Sequence, residues 1–324
     1  MVKFLFWSDL HREFGSYEHP VEIPYPPKGV SHEAGQQNLR NEIDAILVAG
    51  DLHVHEYHVP SLEEIQDAWG VPVISVRGNH EFYQGNFTTL PARMTEQTEE
   101  VRARGKPVHV LDQDVIVIGD TRTLGVTLWT DFAICGNQAD MMFGARRMMN
   151  DYRKIMASTP GALRDELLLP KQTLEKHLSD RAWLIEELNK PWPGKTLVMT
   201  HHIPVPEALD PDAGKGDYAP CYVSDLREDV LGLKIDAWIS GHSHQAVRGT
   251  LPGLHGDIAF LSNMKGYPGQ KTNFEPYRVL DMDAPTKDLS PIEISDPVLS
   301  HLEDAQSVID RLRETVTAAV SGDP

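Results

Sequence analysis

Five short runs of apolar residues, each ending abruptly in glycine or polar residues, constrain the fold of this chain more than any other feature of its sequence. The runs occupy 3–7, 45–49, 71–76, 196–199 and 235–239. Near-continuous apolar runs of this length are typical of parallel strands that are covered on both faces. Segments with helical spacing lie between several of them, at 62–69, 94–104 and 174–188. Strands that alternate with helices indicate an α/β architecture.

Other apolar runs predict a second sheet. They lie at 115–118, 124–129, 246–251, 258–261 and 278–282, and short turn-like segments join several of them. Antiparallel strands can be joined by such short connections, whereas parallel strands need a longer crossover. We therefore expect the second sheet to be partly antiparallel.

The residues that follow the five buried runs are of the types that bind metal ions. They form the blocks Ser8-Asp9-Leu10-His11, Gly50-Asp51-Leu52, Gly78-Asn79-His80-Glu81, Thr200-His201-His202 and Gly241-His242-Ser243-His244. Because ligands of an α/β sheet bind beyond the carboxyl ends of its strands, we expect these blocks to converge on one crevice. Taken alone, each block also fits a polar turn that caps the next helix. Together they are too many ionisable groups to bury without partners, so the set predicts bound metal ions.

The order of these blocks resembles the signature of the calcineurin-like metallophosphoesterase superfamily, which is D-x-H, G-D, G-N-H-[ED], H and G-H-x-H. The resemblance covers about 1–283 and implies a two-sheet β-sandwich core flanked by helices, in four α/β/β/α layers. It implies that Asp9, His11 and His244 hold one divalent metal ion, that Asn79, His201 and His242 hold a second, and that Asp51 bridges both. Carboxylate and imidazole ligands suit Mn, Fe, Zn or Ni, and Mn is the metal we expect to support activity in vitro.

The resemblance also implies a hydrolytic mechanism. A water shared by the two metals attacks phosphorus, and His80 donates a proton to the leaving oxygen as general acid. Asn79 stands at the second metal and can also touch the phosphate. We expect further substrate contacts from His202 and Arg12, although His202 also fits an orienting role beside a ligand and Arg12 also fits an exposed loop. The cluster 150–153 fits either a substrate-facing site or a polar helix face.

The second block narrows the substrate class. Phosphoprotein phosphatases of the superfamily extend it to G-D-x-V-D-R-G, whereas this chain continues Gly50-Asp51-Leu52-His53-Val54-His55 and lacks that aspartate and that arginine. We therefore expect a small-molecule phosphodiesterase. The alternatives are a broad-specificity phosphomonoesterase, a nuclease, and a metal-binding scaffold without turnover.

Charge and cysteine content bear on partners and compartment. The formal net charge of −18 argues against a protein that tracks long nucleic acid, because such binding relies on basic side chains that neutralise phosphates. Two distant cysteines, Cys135 and Cys221, indicate reduced thiols and hence a cytoplasmic protein. No apolar run is long enough to cross a bilayer, so we expect no membrane partner.

We expect a metallophosphoesterase domain over 1–283 with two insertions. One is a long loop at 12–40, and the other is a helical, cap-like segment at 132–190. A linker and an amphipathic helix are predicted over 284–324, and this helix either packs on its own domain or supports oligomer formation.

Overall fold

Two β-sheets pack face to face in the computed structural model, which describes residues 2–15, 22–25, 39–158, 164–209 and 216–293. The described strands are β1 (Lys3–Trp7), β2 (Ala45–Ala49), β3 (Val73–Val76), β4 (Val108–Leu111), β5 (Asp114–Ile118), β6 (Thr121–Val126), β7 (Met156–Ala157), β8 (Glu166–Leu167), β9 (Lys195–Thr200), β10 (Ala237–Ser240), β11 (Arg248–Leu251), β12 (Ile258–Ser262) and β13 (Val279–Asp281). The described α-helices are α1 (Leu39–Glu42), α2 (His58–Trp69), α3 (Leu90–Ala103), α4 (Gln138–Met148), α5 (Asp151–Lys154), α6 (Pro170–Asn189) and α7 (Arg227–Val230).

The first sheet has the strand order β13-β1-β2-β3-β4. Strands β1 to β4 run parallel, and β13 pairs antiparallel with β1 at the edge. In β1, Leu5 and Trp7 pack toward the helical side with residues of α2, while Phe4 and Phe6 face the other sheet. This alternation follows from the two-residue period of a strand, and burial on both faces explains why all residues after the half-buried Lys3 are apolar.

The second sheet has the order β11-β12-β10-β9-β6-β5. Its four central strands are parallel, and β11 and β5 pair antiparallel at the two edges. The outer face of this sheet is covered by apolar residues of α6, including Leu184 and Leu188. A separate apolar layer lies between the two sheets, so the order of layers is helix, sheet, sheet, helix. The predicted α/β/β/α fold is confirmed.

The structure corrects the sheet assignment of some predicted strands. The run at 278–282 forms β13 and joins the first sheet rather than the second, and β9 and β10 belong to the second sheet rather than the first. The run predicted at 124–129 ends at Val126, because Leu128 and Trp129 have positive φ values of 72° and 46° and leave the strand conformation.

The two predicted insertions are described only in part. Within 12–40, a 3₁₀ turn covers Arg12–Phe14 and α1 begins at Leu39. Within 132–190, the structure contains α4, α5, α6 and a small hairpin of β7 and β8. The predicted C-terminal amphipathic helix lies outside the described residues. Across the described chain, we find no helix with both the length and the apolarity that a bilayer crossing requires.

Candidate metal centre

The carboxyl ends of β1, β2, β3, β9 and β10 meet at one edge of the sandwich, and each is followed by a tight turn. Five residues of these turns have a left-handed backbone: Asp9 (φ 52°), His11 (φ 47°), Asp51 (φ 54°), His242 (φ 75°) and His244 (φ 58°). Such a conformation costs a non-glycine residue on the order of 1–3 kcal/mol, and it persists only where the surroundings enforce it. Five such residues in turns that meet at one edge of the sheets make this edge the candidate functional site.

Glycines in the same turns allow close approach to the buried carboxylates. A Cβ atom on Gly78 would lie 2.1 Å from Oδ1 of Asp51, and one on Gly241 would lie 2.7 Å from Oδ2 of Asp9. No side chain fits at such distances. The glycines of the third and fifth motif blocks are therefore explained by packing around the carboxylates, whereas a Cβ atom on Gly50 of the second block would lie 2.5 Å from Nδ1 of His201.

All seven residues predicted as metal ligands come together at this edge. One group offers ligand atoms from Asp9, His11, Asp51 and His244, and another offers them from Asp51, His201 and His242. Within each group these atoms lie within 4.8 Å of one another. The side-chain oxygen of Asn79 lies 3.1 Å from Nε2 of His201, so Asn79 belongs with the second group.

Asp51 is shared by the two groups, with one oxygen directed to each. Its Oδ1 lies 3.4 Å from Nε2 of His201, and its Oδ2 lies 3.8 Å from Nε2 of His11. Asp9 stands on one side only, with Oδ1 3.2 Å from Nε2 of His244. A carboxylate with two oxygens can span cations about 3.5–4 Å apart, which is the spacing of two-metal hydrolases.

Three of the histidines are oriented by an oxygen acceptor behind the ring. Nδ1 of His201 lies 2.8 Å from the carbonyl oxygen of Ala49, Nδ1 of His244 lies 2.8 Å from Oε1 of Gln270, and Nδ1 of His11 lies 3.0 Å from Oε1 of Glu13. An imidazole that donates Nδ1–H in this way keeps its Nε2 lone pair for a metal ion. The donor set therefore fits two divalent cations of the Mn, Fe, Zn or Ni class.

The amide of Asn79 is also oriented by its neighbours. Its Nδ2 donates to Oδ1 of Asp151 at 2.7 Å and to the hydroxyl of Tyr83 at 3.3 Å. Asp151 is buried and belongs to α5 of the helical insertion. Because the nitrogen is held by the insertion, the amide oxygen faces His201 and the second group.

His80 lies beside the shared carboxylate with both ring nitrogens in contact. Nδ1 lies 2.6 Å from Oε1 of Glu13, and Nε2 lies 3.2 Å from the hydroxyl of Tyr267. The backbone N–H of His80 donates to Oδ1 of Asp51 at 2.9 Å, and its ring stacks on Tyr83. The ring thus has one nitrogen on a carboxylate and the other facing the open side of the site.

Burial and neighbouring charges have opposite effects on the pKa values of His80 and Glu13. Burial disfavours the charged form of His80, but the negative charges of Asp51 and Glu13 outweigh it and raise the pKa of His80. Burial also raises the pKa of Glu13, but hydrogen bonds from His11 and His80 outweigh it and lower that pKa to about 2. Glu13 is therefore an anion at neutral pH, and it favours a protonated His80.

Glu81 holds two of the motif turns in place. One of its oxygens accepts the backbone N–H groups of Asp51 at 2.9 Å and Gly78 at 2.6 Å, and the other accepts that of Leu52 at 2.8 Å. His58 of α2 lies 3.0 Å away on the far side. Glu81, the acidic residue after the G-N-H block, therefore has a structural role, because it holds the turns that carry the candidate ligands Asp51 and Asn79.

A cavity of about 180 Å³ opens over the two groups. Its outer wall comes from the helical insertion and from two later loops, and contains Met148, Met149, Asn150, Tyr222, Tyr267 and Gln270. Among the described residues that line the cavity, none is lysine or arginine. The cavity therefore offers aromatic, sulfur and amide contacts without a fixed positive side chain.

Two residues predicted to contact substrate lie elsewhere. Arg12 is buried, pairs with Glu64 at 2.7 Å, and lines a neighbouring cavity. His202 is buried between the rings of Trp129 and His242 and does not line the cavity over the centre. Of the cluster 150–153, Asn150 lines this cavity.

Sequence reasoning missed Glu13 and Tyr267 as parts of the site, and it named Asp151 within the cluster 150–153 without its contact to Asn79. Glu13 follows the first motif block by two residues, which is the one local indication that the sequence offers. Asp151 and Tyr267 contact residues of the third block from 72 and 187 positions away. No spacing rule links positions so distant, so only the fold brings them together.

Several known proteins are similar to this chain in sequence or in fold. The family model for calcineurin-like phosphoesterases matches residues 2–246. A protein of Acanthamoeba polyphaga mimivirus, described as uncharacterized, is 25% identical over 235 residues, which are 65% of this chain and 74% of that protein. The structure of a phosphopantetheinyl hydrolase from Mycobacterium tuberculosis is similar with a TM-score of 0.54 and 16% identity, over 82% of this chain and 90% of that one. A dimetal phosphatase from Danio rerio aligns with a TM-score of 0.41 and 14% identity, over 81% of this chain and 86% of that one.

Proposed function

The chain belongs to the calcineurin-like phosphoesterase family, and from this premise we propose that it hydrolyses small phosphodiesters at a dinuclear metal centre. The family supports hydrolysis of phosphoric esters, and the residue clusters fit the dinuclear divalent centre that the family uses. The preference for a diester over a monoester is our inference from the cavity of this chain.

In this proposal, Asp9, His11 and His244 hold one cation. The second cation is held by Asn79, His201 and His242, and Asp51 contacts both. Two cations bound there would lower the pKa of a water, polarise the phosphoryl oxygens and neutralise charge that develops on them. The protein contributes rigid ligand geometry, because three imidazoles and the Asn79 amide are each fixed by a second hydrogen bond.

His80 is the proposed general acid. Its Nε2 lies 4.0 Å from Oδ2 of Asp51, and the residue lines the cavity over the two groups. Protonation of the leaving oxygen as the phosphorus–oxygen bond breaks avoids the release of an alkoxide. Tyr267, whose hydroxyl lies 3.2 Å from Nε2, occupies the side from which the leaving group would approach.

The single observation that carries the diester preference is the lining of the cavity. A phosphomonoester carries up to two negative charges near neutral pH, whereas a diester carries one. Proteins usually hold a phosphate group with two negative charges through bidentate contacts from arginine. The described lining contains no such side chain, and it offers Tyr222, Tyr267 and Met149 to the organic group on the second ester oxygen. The net charge of −18 further disfavours long nucleic acids as substrates.

The test compares two esters with the same leaving group. Metal-stripped protein is reloaded with Mn²⁺ and assayed on bis-p-nitrophenyl phosphate and on p-nitrophenyl phosphate. We expect the diester to have the higher kcat/KM by at least about tenfold, which corresponds to about 1.4 kcal/mol of transition-state discrimination. A higher value for the monoester would replace the proposal with a phosphomonoesterase.

Two variants make the assay specific to the centre. Asp51→Asn removes the shared negative charge, and Asp257→Asn makes the same chemical change at an exposed position. We expect Asp51→Asn to lose nearly all turnover and Asp257→Asn to keep it. Bound metal without turnover of either ester in the wild-type protein would favour a scaffold and would overturn the proposed activity.

A further inference from the structure

Glu13 makes an unusual contact with two histidines of the site at once. Its Oε1 accepts from Nδ1 of His80 at 2.6 Å and from Nδ1 of His11 at 3.0 Å. The two rings meet edge to face, with centroids 4.4 Å apart. One carboxylate oxygen therefore sets the orientation of a candidate ligand and of the candidate acid.

Stability alone does not explain this carboxylate. Its other oxygen, Oε2, is buried and has no hydrogen-bond partner among the described residues. A buried acceptor left without a partner costs about 1–3 kcal/mol. Glu13 also sits in a 3₁₀ turn of three residues, where its side chain makes no cap for the turn. A group that is costly to bury and unnecessary for its own turn is typical of a functional position.

We propose that Glu13 is a positioning residue that holds the ring of His80 with Nε2 directed at the leaving oxygen. This inference rests on the proposed hydrolysis. The contact at Nδ1 fixes the orientation of the ring and leaves Nε2 as the nitrogen that can reach the cavity. The structure offers no other described acceptor within hydrogen-bond distance of this Nδ1.

The proton balance of the step is as follows. The oxygen of water forms a bond to phosphorus, and the bond from phosphorus to the leaving oxygen breaks. His80 gives its Nε2 proton to that oxygen, while its Nδ1 proton stays on the hydrogen bond to Glu13. His80 leaves the step neutral and Glu13 remains a carboxylate. The proton released from the attacking water returns His80 to its protonated form.

This arrangement predicts that Glu13 matters most for poor leaving groups. A phenolate with a low pKa leaves without a proton, whereas an ordinary phenol or alcohol needs one. The test uses diesters of p-nitrophenol and of phenol with wild type, Glu13→Gln and the exposed control Glu99→Gln. Because general acid catalysis contributes about 10²–10⁴-fold, we expect Glu13→Gln to lower kcat at least about tenfold more for phenol than for p-nitrophenol. Equal losses for both leaving groups would overturn the proposal.

A double variant separates the role of Glu13 at His80 from its contact with His11. In a His80→Asn background, Glu13→Gln should cause little further loss of kcat, because the acid it positions is already absent. If the losses multiply, Glu13 acts elsewhere. Metal content, measured by mass spectrometry on the same samples, should be unchanged by Glu13→Gln. A loss of metal would assign the effect to His11 and contradict the proposal.

A third readout does not depend on turnover. In zinc-loaded protein with ¹⁵N-labelled histidine, the Nδ1 proton of His80 should give a downfield NMR signal that is absent in His80→Asn. Glu13→Gln should shift this signal upfield, and Glu99→Gln should leave it in place. If the wild type hydrolyses no ester yet the signal behaves in this way, the proposed function fails while the contact between Glu13 and His80 stands. If the signal is unchanged in Glu13→Gln, the positioning role fails whatever the activity.

Discussion

Asn79 illustrates how a single side chain can depend on a residue far away in the sequence. An amide has an oxygen that can bind a metal ion and a nitrogen that cannot, and the two ends differ little in shape. Asp151 accepts from the nitrogen at 2.7 Å, so only the oxygen faces His201. The helical insertion thereby takes part in the centre through one buried carboxylate.

Replacing Asp151 with leucine should weaken binding of the second cation. Leucine has a similar shape but no acceptor, so the Asn79 amide loses the contact that fixes its orientation. Loss of such an outer partner typically reduces metal affinity by about 10–100-fold. Competition with a chromophoric chelator measures the affinities for the first and the second cation in one titration.

The matched variant is Asp151→Asn, which keeps an oxygen acceptor at the same place. We expect its affinity to lie closer to that of the wild type than to that of Asp151→Leu. Circular dichroism confirms that each variant is folded. If Asp151→Leu leaves the affinities for both cations unchanged, the orientation of Asn79 does not depend on Asp151.

At the scale of elements, helix α6 is tied to the first sheet by a network of buried and half-buried charges. Lys176 of α6 donates to Asp112 at 2.8 Å and to Asp180 at 2.6 Å, and Arg77, which follows β3, also pairs with Asp112. Asp112 lies in the turn between β4 and β5, where the chain passes from one sheet to the other. The network therefore links α6, which covers the second sheet, to the turn where the chain passes between the two sheets.

The stability given by Asp112 should depend on pH. Burial raises the pKa of Asp112, but Arg77 and Lys176 outweigh burial and hold it below the ordinary value. A carboxylate with a lowered pKa stabilises the fold above about pH 3.9, where the unfolded chain titrates, and this contribution is lost at lower pH. We expect Asp112→Asn to cost about 1–3 kcal/mol in the free energy of unfolding at pH 7 and less below about pH 3.9. Urea denaturation at pH 7 and below about pH 3.9 measures this difference, with Asp257→Asn as the control. An equal cost of Asp112→Asn at both pH values would contradict the prediction.

Individual strands could be predicted from the sequence, whereas their sheets could not. The bounds of β1 and β2 agree with their apolar runs, because burial on both faces leaves no polar residue inside the strand. A similar apolar run, at 197–199, lies in β9, which belongs to the other sheet. Sheet membership depends on pairing between distant strands, and two faces that are both apolar contain no information about the partner.

The metal site was more predictable than its surroundings, for a related reason. The candidate ligands are short polar side chains that directly follow buried strands, so the strand pattern already places them at one edge of the sheets. Glu13 and Tyr267 act through contacts across the fold, and Arg12 turned inward to pair with Glu64 instead of facing the centre. Such contacts arise from tertiary packing, which local spacing does not determine.

For the whole molecule, the centre joins two sheets that otherwise meet through apolar packing. The first group takes its ligands from β1, β2 and the turn after β10, and the second takes them from β2, β3, β9 and β10. Bound cations would therefore cross-link the strand ends of both sheets and offset the strain of the left-handed turns. Any ligand that binds the folded state alone stabilises it by mass action, by about 2.7 kcal/mol at a concentration 100 times its Kd.

Removal of metal should therefore lower the stability of the entire domain rather than that of one loop. We expect chelation to shift the urea midpoint of the wild-type protein downward, by the equivalent of about 2–3 kcal/mol when the starting metal concentration is 100 times its Kd. The urea midpoint of Asp51→Asn should depend much less on metal, because this variant lacks the one carboxylate that serves both groups. Asp257→Asn should behave like the wild type, since Asp257 is exposed and precedes the amino end of β12, opposite the carboxyl ends that carry the centre. If chelation moved the midpoints of the wild type and Asp51→Asn equally, the stabilising ion would have to bind outside the centre, and the cross-link between the sheets would not depend on Asp51.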